Sequence, residues 1–96
     1  MASRETSALG VAHTAEIAFE YGDERRARIV EESVRVEVDE IADDRSRATV
    51  TRDGRVVSVT VEAADLIALR AGTNTWIRLL EVAERITRTG DRLGDE

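Results

Sequence analysis

Ninety-six residues with a mass of 10.6 kDa are enough for one small domain. The chain contains no Cys, which excludes a disulfide framework, a thiolate metal site and a cysteine nucleophile. Its hydrophobic content of 42% is ordinary for a folded protein. The apolar runs are far shorter than the ~20 residues of a membrane-spanning helix. The first residues lack the basic-then-apolar order of a signal peptide, so we expect a cytoplasmic protein with no membrane partner.

The charge balance argues against a nucleic-acid-binding protein that acts alone. Twenty acidic residues oppose fourteen basic ones, all of them Arg, and the net charge is -6 at pH 7. A net negative domain repels phosphate backbones at long range. One Phe, one Tyr and one Trp are too few for a platform that stacks single-stranded bases. The acidic excess with Arg and no Lys fits a salt-rich cytoplasm and a GC-rich coding bias equally well.

The first predicted elements are a strand and a short helix. From His13, apolar and polar residues alternate, which predicts a half-buried strand. Gly22-Asp23 interrupts the alternation, and Asp23 is a candidate N-cap for a helix over residues 24–34. Three apolar residues with helical spacing give that helix a narrow stripe: Ala27, Val30 and Val34. Residues 35–44 alternate only weakly, and either a helix or a loop fits them.

A hairpin follows at Asp53-Gly54, the residue pair that favours a two-residue type I′ turn. Counting outward from this turn predicts that Thr51 faces Val56 and that Val50 faces Val57. The apolar residues then share one face of the sheet. The other face is rich in Thr, and it would be either solvated or paired with a second copy of the chain.

A long helix is predicted over residues 64–88 and ends at Gly90. The expected order is therefore β-α-β-β-α. It predicts an α/β (α+β) two-layer sandwich, with a three-stranded sheet and two helices on one face. We expect a single domain over residues 13–88, a flexible lead-in over residues 1–12 and a flexible tail over residues 89–96.

The long helix is apolar over more than half of its circumference at about 100° per residue. A surface helix needs one apolar stripe. One arc, around Trp76 and Leu80, is broad enough to cover a small sheet, and Leu66 belongs to it. The remaining apolar residues form a second arc, which is more than the sheet needs. This second arc predicts docking of a helix from another chain, because the first helix offers few apolar partners. The alternative is that the first helix and residues 35–44 cover the surplus. The candidate docking residues are Ala64, Ala68, Ala71, Gly72, Thr75, Leu79, Val82 and Ile86.

Arg70, Asn74 and Arg78 form a polar row on the same helix, because their spacing is i, i+4, i+8. The row is either a solvated face or a recognition strip for a carboxylate, a row of carbonyls or a phosphate.

No catalytic, cofactor or metal site can be assembled from these residues. His13 is the only imidazole, and Asp43-Asp44 is typical of a turn. Asp65 is explained as the N-cap of the long helix. The glycines match neither dinucleotide nor phosphate-loop spacing. We therefore expect a protein that is not an enzyme and that uses no cofactor.

The long helix carries a pattern that resembles the small Pcc-type subunit of the KEOPS complex, called the LAGE-like or CTAG family in animals. Its elements are Asp65-Leu66, Leu69-Arg70-Ala71, Asn74 and Arg78-Leu79. The hairpin and the first strand ending at Phe19 also fit, so the resemblance spans roughly residues 13–88. Gly72 departs from good helix formers and indicates either a close helix contact or a locally loosened helix.

The resemblance implies a function. KEOPS makes the threonylcarbamoyl modification of adenosine next to the anticodon of transfer RNAs that read ANN codons. The Pcc-type subunit implied here is a non-catalytic homodimer. Its helices pack with N-terminal helices of the catalytic Kae/TsaD-type subunit, and it meets transfer RNA only within the complex. The alternative function is a small transfer-RNA-binding module that uses the sheet face and the hairpin. Its candidate RNA contacts are Arg45, Arg47, Arg52 and Arg55.

Overall fold

The computed structural model describes residues 13–42 and 45–94, and within them the side chains up to residue 88. The described elements form a three-stranded antiparallel sheet with helices, which confirms the predicted α+β class. The segment left open as helix or loop contains one helical turn, α2. In chain order the elements are β1 (His13–Glu20), α1 (Glu24–Arg35), α2 (Val38–Ile41), β2 (Ser46–Asp53), β3 (Val56–Ala63) and α3 (Leu66–Gly94).

The strand order in the sheet is β1-β3-β2. β3 lies in the centre and pairs antiparallel with both neighbours. β1 and β2 are therefore parallel to each other at the two edges, and α1 and α2 connect them across the width of the sheet. Burial alternates along the strands, so the helices cover one face of the sheet and the other face carries no helix.

The register of the hairpin differs from the predicted one by two residues. Gly54-Arg55 are the central residues of the turn, and a positive φ of 62° occurs at Gly54 alone among the described residues. A type I′ turn needs a positive φ at both central positions, whereas a type II′ turn needs it only at the first. As a result Val50 faces Val59. Because side chains alternate with a period of two, this shift leaves each of them on its predicted face.

The core lies between the sheet and the two longer helices. The inward residues of β3 are buried, as are Ala27, Val30 and Val34 of α1, which confirms the predicted stripe. From α3 the core receives Trp76 at 1% exposure and Leu80 at 0%. These are the largest fully buried side chains of the described part of the chain, so α3 is the main partner of the sheet.

The helix starts follow the predicted capping. Asp23 accepts a hydrogen bond from the backbone N–H of Arg26 at 2.7 Å. Asp65 accepts one from the backbone N–H of Ala68 at 2.8 Å. Each carboxylate satisfies an N–H group that has no partner within its helix, which sets where the helix begins.

The predicted end of the long helix is wrong. α3 continues past Gly90 to Gly94. A single Gly weakens a helix because it has no side chain to pack and a more flexible backbone. It does not break the helix, because its N–H and C=O groups can still form the helical hydrogen bonds. The predicted lead-in over residues 1–12, the turn at Asp43-Asp44 and the last two residues of the predicted tail lie outside the described residues. Among the described helices, none has the length and apolar character needed to cross a membrane.

Candidate functional site

Two open hollows lie in line along one side of α3, facing the α1–α2 segment and the start of β2, and we call them together the groove. Its half nearer the C-terminus of α3 is a hollow of about 190 Å³. Val34 and Glu37 line it from the α1 side. Leu79, Val82 and Ile86 line it from α3, where their spacing places them on one side of the helix. The walls are therefore mainly aliphatic.

The other half of the groove is a hollow of about 330 Å³ with a different lining. The α3 wall consists of Ile67 and four small residues, and the opposite wall consists of Ile41, Arg45 and Ser46. Gly72 lies deep in this half, because a Cβ built on it would lie 3.0 Å from Val61 Cγ1. The small α3 residues that line this half are Ala68, Ala71, Gly72 and Thr75.

The groove contains seven of the eight residues that the sequence marked as candidate docking residues. The eighth, Ala64, lies before the helix, where its N–H donates to the carbonyl of Arg45 at 2.8 Å. Two of the three bulky members remain exposed, Val82 at 45% and Ile86 at 65%, whereas Leu79 is half-buried against the core. Ile67 adjoins the small-residue half and is 82% exposed. Of the seven groove residues, the fold therefore leaves three exposed, Ala71, Val82 and Ile86, and the other four half-buried.

The first helix cannot cover this surface because its apolar stripe is directed into the core. Ala27 and Val30 are fully buried there, and Val34 is 2% exposed. Leu66, predicted to cover the sheet, is instead 61% exposed. Its place at the first turn of α3 puts it beyond the edge of the packed core.

Two of the three residues of the polar row lie away from the groove. Arg70 and Asn74 line a separate hollow of about 240 Å³ together with Leu66, Leu69 and Thr73. The hydroxyl of Thr73 is buried and has no hydrogen-bond partner among the described residues. Arg78 does not line this hollow and is exposed. The structure therefore brings together two of the three row residues.

All four candidate RNA contacts are paired with carboxylates of the same chain. Arg45 pairs with Asp65, the residue that caps α3. The other three pairs are Arg47–Glu62 at 2.8 Å, Arg52–Glu31 at 2.8 Å and Arg55–Glu20 at 2.6 Å. A phosphate that approached any of these guanidinium groups would have to compete with a carboxylate already in place.

Arg52 and Glu31 join the hairpin to α1. Arg52 also donates to the carbonyl of Gly54 at 3.0 Å, which links the turn to the same contact. Glu31 accepts from Arg35 as well, and its side chain is only 16% exposed. Hydrogen bonds from Arg35 and Arg52 hold the pKa of Glu31 below its ordinary value. Glu31, Arg35 and Arg52 therefore stabilise the contact between α1 and the hairpin, and none of them lines the groove.

The described residues offer no arrangement typical of catalysis. His13 is half-buried at the start of β1. No three His, Cys, Asp or Glu side chains of the described chain come close enough together to hold a metal ion. Sequence reasoning missed the residues of the facing wall, Ser33, Val34, Glu37 and Ile41. The only signal there was the weak alternation of residues 35–44.

Comparison with known protein families identifies the family of this chain. A family model described as "Transcription factor Pcc1" matches residues 14–88. The chain belongs to the Pcc1 family. The resemblance inferred from the α3 pattern is thereby confirmed. No curated protein sequence matches.

The fold of this Pcc1 family member is similar to that of a solved structure. It matches a chain of the "Crystal structure of binary complex Gon7-Pcc1" with a TM-score of 0.73 and 20% sequence identity. The match covers 82% of this chain and 96% of that chain. At this identity the likeness establishes the fold.

Proposed function

We propose that this chain is a non-catalytic dimerisation and assembly subunit of the KEOPS complex. In this role it docks the catalytic Kae/TsaD-type subunit and supports threonylcarbamoyl modification of transfer RNA. Membership of the Pcc1 family supports the assignment to KEOPS. The observation that carries the docking role is the apolar groove, whose α3 wall the chain's own helices leave partly exposed at Ala71, Val82 and Ile86.

The groove has dimensions that suit a helix. From Ala68 to Ile86 the α3 wall spans about 27 Å at ~1.5 Å per residue, which corresponds to about five helical turns. Small residues at one end allow a second backbone to approach closely, and aliphatic side chains at the other end provide contact area. A third helix laid between α3 and the α1–α2 segment would complete a bundle.

Matched substitutions at two exposed apolar positions test the docking role. Ile86 lies in the groove and is 65% exposed, whereas Leu66 lies outside it and is 61% exposed. We expect Ile86→Asp to abolish co-purification with the catalytic subunit and Leu66→Asp to preserve it. Both variants should keep the circular dichroism of the folded chain. If Ile86→Asp still co-purifies as well as the wild type, the docking role is wrong.

Two further substitutions probe the small-residue half. Ala68→Glu places a charge in the groove, and we expect it to abolish co-purification as well. Ala71→Leu adds bulk at an exposed helical position, so it should block a close helix without unfolding the domain. Leu79→Asp would also block docking, but Leu79 packs against the core and its replacement costs stability.

The proposed homodimer requires a second surface, because the groove is assigned to the catalytic subunit. The outer face of the sheet is a candidate, because it carries no helix. Its central rows are short and uncharged across β3 and β2, where Thr60 faces Thr49 and Ser58 faces Thr51. We expect Ser58→Arg to yield a monomer by light scattering and to leave the groove intact. Ile86→Asp should leave self-association unchanged.

The alternative, a transfer-RNA-binding module acting alone, is not favoured by any arrangement of its candidate residues. All four of its arginines are ion-paired within the chain. In the proposed function, transfer RNA is met only by the assembled complex.

A further inference from the structure

The two walls of the groove carry opposite charge in the half nearer the C-terminus of α3. Arg78 and Arg85 are exposed and directly precede the groove residues Leu79 and Ile86. A step of about 100° places each of them at the solvent edge of the α3 wall. On the facing wall, Glu37 lines the groove itself. The edge with Arg78 and Arg85, which we call the basic rim, therefore lies opposite Glu37, which we call the acidic rim.

The exposed Glu81 lies one helical turn from both Arg78 and Arg85, but it forms no ion pair with either. Among the described residues, no ion pair joins Arg78, Arg85 or Glu37 to an opposite charge. The exposed acids Asp39 and Glu40 of α2 follow Glu37 in the chain, but neither lines the groove. The hairpin arginines differ, because each of them is paired with a carboxylate of the chain. At the rims of the groove, the charges available to another protein are therefore those of Arg78, Arg85 and Glu37.

The charge contrast is absent from the other half of the groove. There the solvent edge of the α3 wall carries Ile67, which is 82% exposed, and Ala71. On the facing wall Arg45 pairs with Asp65. Only the half between Arg78 and Arg85 can therefore distinguish the two flanks of a docked helix by charge.

We propose that the helix bound in this groove carries acidic residues on the flank that meets Arg78 and Arg85, and basic residues on the flank that meets Glu37. This inference rests on the proposed function, because it describes the partner helix that the groove takes. Turning a helix end for end exchanges its flanks. The two rims therefore select one direction of the partner helix, which the apolar lining alone does not do. Complementary charges of this kind contribute mainly to specificity and to the association rate.

Charge reversal at the rims tests the inference, with the catalytic subunit as the titrated partner. Arg85→Glu is compared with Arg28→Glu, which makes the same charge change at an exposed position of α1 on the side away from Glu37. We expect Arg85→Glu to weaken binding roughly 5- to 10-fold at low salt and less at high salt, because exposed pairs are screened. Arg28→Glu should bind like the wild type.

A double variant removes the effect of net charge. Arg85→Glu with Glu37→Arg keeps the net charge of the wild type and exchanges one charge between the two rims, while Arg78 is unchanged. We expect it to bind at least as weakly as either single variant. Wild-type affinity for both single variants and for the double variant would overturn the inference and leave the proposed function standing. Full binding by Ile86→Asp would instead overturn the proposed function, and the inference with it.

Discussion

Gly72 of α3 lies against Val61 of β3 so closely that a Cβ on the glycine would be 3.0 Å from Val61 Cγ1. Val61 is 1% exposed and sits in the central strand, flanked on both sides by other strands. A valine has a stiff side chain, so it yields little to a new neighbour. The close approach explains why this helix carries a glycine at a position where its propensity is unfavourable.

We expect Gly72→Leu to lower the free energy of unfolding by about 2 kcal/mol, because overpacking pushes α3 away from the sheet. Gly72→Ala should change it by less than about 1 kcal/mol, since the gain in helix propensity offsets the contact with Val61. Urea unfolding measures both. The control is Ala71→Leu, one residue away and exposed, which should unfold like the wild type. A neutral Gly72→Leu would contradict the close packing.

The hairpin turn provides a second test of backbone conformation. Gly54 has a φ of 62°, and Arg55, the other central residue, has a negative φ. An L-residue in that region costs roughly 1–2 kcal/mol, so we expect Gly54→Ala to lower the free energy of unfolding by about that amount. Arg55→Ala should cost less than about 0.5 kcal/mol, because its ion pair with Glu20 is exposed. Equal costs for the two variants in chemical denaturation would contradict this prediction.

The faces of the sheet could be predicted from the sequence, but its register could not. Alternation has a period of two, so it cannot distinguish pairings that differ by two residues. That difference depends on which residues occupy the centre of the turn. The Asp53-Gly54 pair favoured one turn type, and the structure uses Gly54-Arg55. The strand order β1-β3-β2 also lay beyond the sequence pattern, because it depends on how α1 crosses the sheet.

The α3 wall of the candidate site could be predicted because helical periodicity places its residues on one side from the spacing alone. The facing wall could not, since Val38 and Ile41 lie in a single helical turn too short for a period to emerge. The pairing of Arg45 with Asp65 joins residues that are distant in sequence. Such contacts require the tertiary fold, and they explain why the hairpin arginines looked available from the sequence.

The lowered pKa of Glu31 predicts how stability responds to acid. Arg35 and Arg52 favour the charged form of Glu31 in the folded chain, so its pKa there lies below the ordinary value of 4.5. The unfolded chain then binds the proton more readily, and the stabilisation is lost as the pH falls from 4.5 through the lowered value. We expect Glu31→Gln to be less stable than the wild type at pH 7 and to show a weaker loss on acidification. Parallel curves for the two proteins between pH 7 and acid would contradict this prediction.

The raised pKa of Tyr21 predicts how the stability of the folded chain responds to alkali. Burial, and to a smaller extent the charge of Glu84, raise the pKa of Tyr21 from 10.0 to about 12. Its contribution to stability is complete below pH 10 and is lost as the pH rises through 12. Tyr21 is the only tyrosine of the chain, so the ultraviolet absorbance of tyrosinate reports on it directly.

We expect this absorbance change near pH 12 in the folded chain and near 10 in urea. The phenol oxygen has no hydrogen-bond partner among the described residues. Tyr21→Phe should therefore be as stable as the wild type at pH 7 and less sensitive to alkali. Titration of the folded chain near pH 10 would show that the phenol is accessible to water.

The ion pairs of the hairpin predict weak binding of transfer RNA by this chain alone. The side chains of Arg47 and Arg55 are 43% and 53% exposed, yet each has a carboxylate within 2.8 Å. The net charge of -6 adds long-range repulsion of the phosphates. We expect filter-binding titrations at several salt concentrations to show at most weak binding.

The double variant Arg47→Gln with Arg55→Gln should leave this binding unchanged, because those groups are already neutralised. Removing the paired acids, with Glu62→Gln and Glu20→Gln, should strengthen binding at low salt. Tight, steeply salt-dependent binding by the wild-type chain that is lost in the double arginine variant would instead favour a transfer-RNA-binding module, since each phosphate contact releases a counterion.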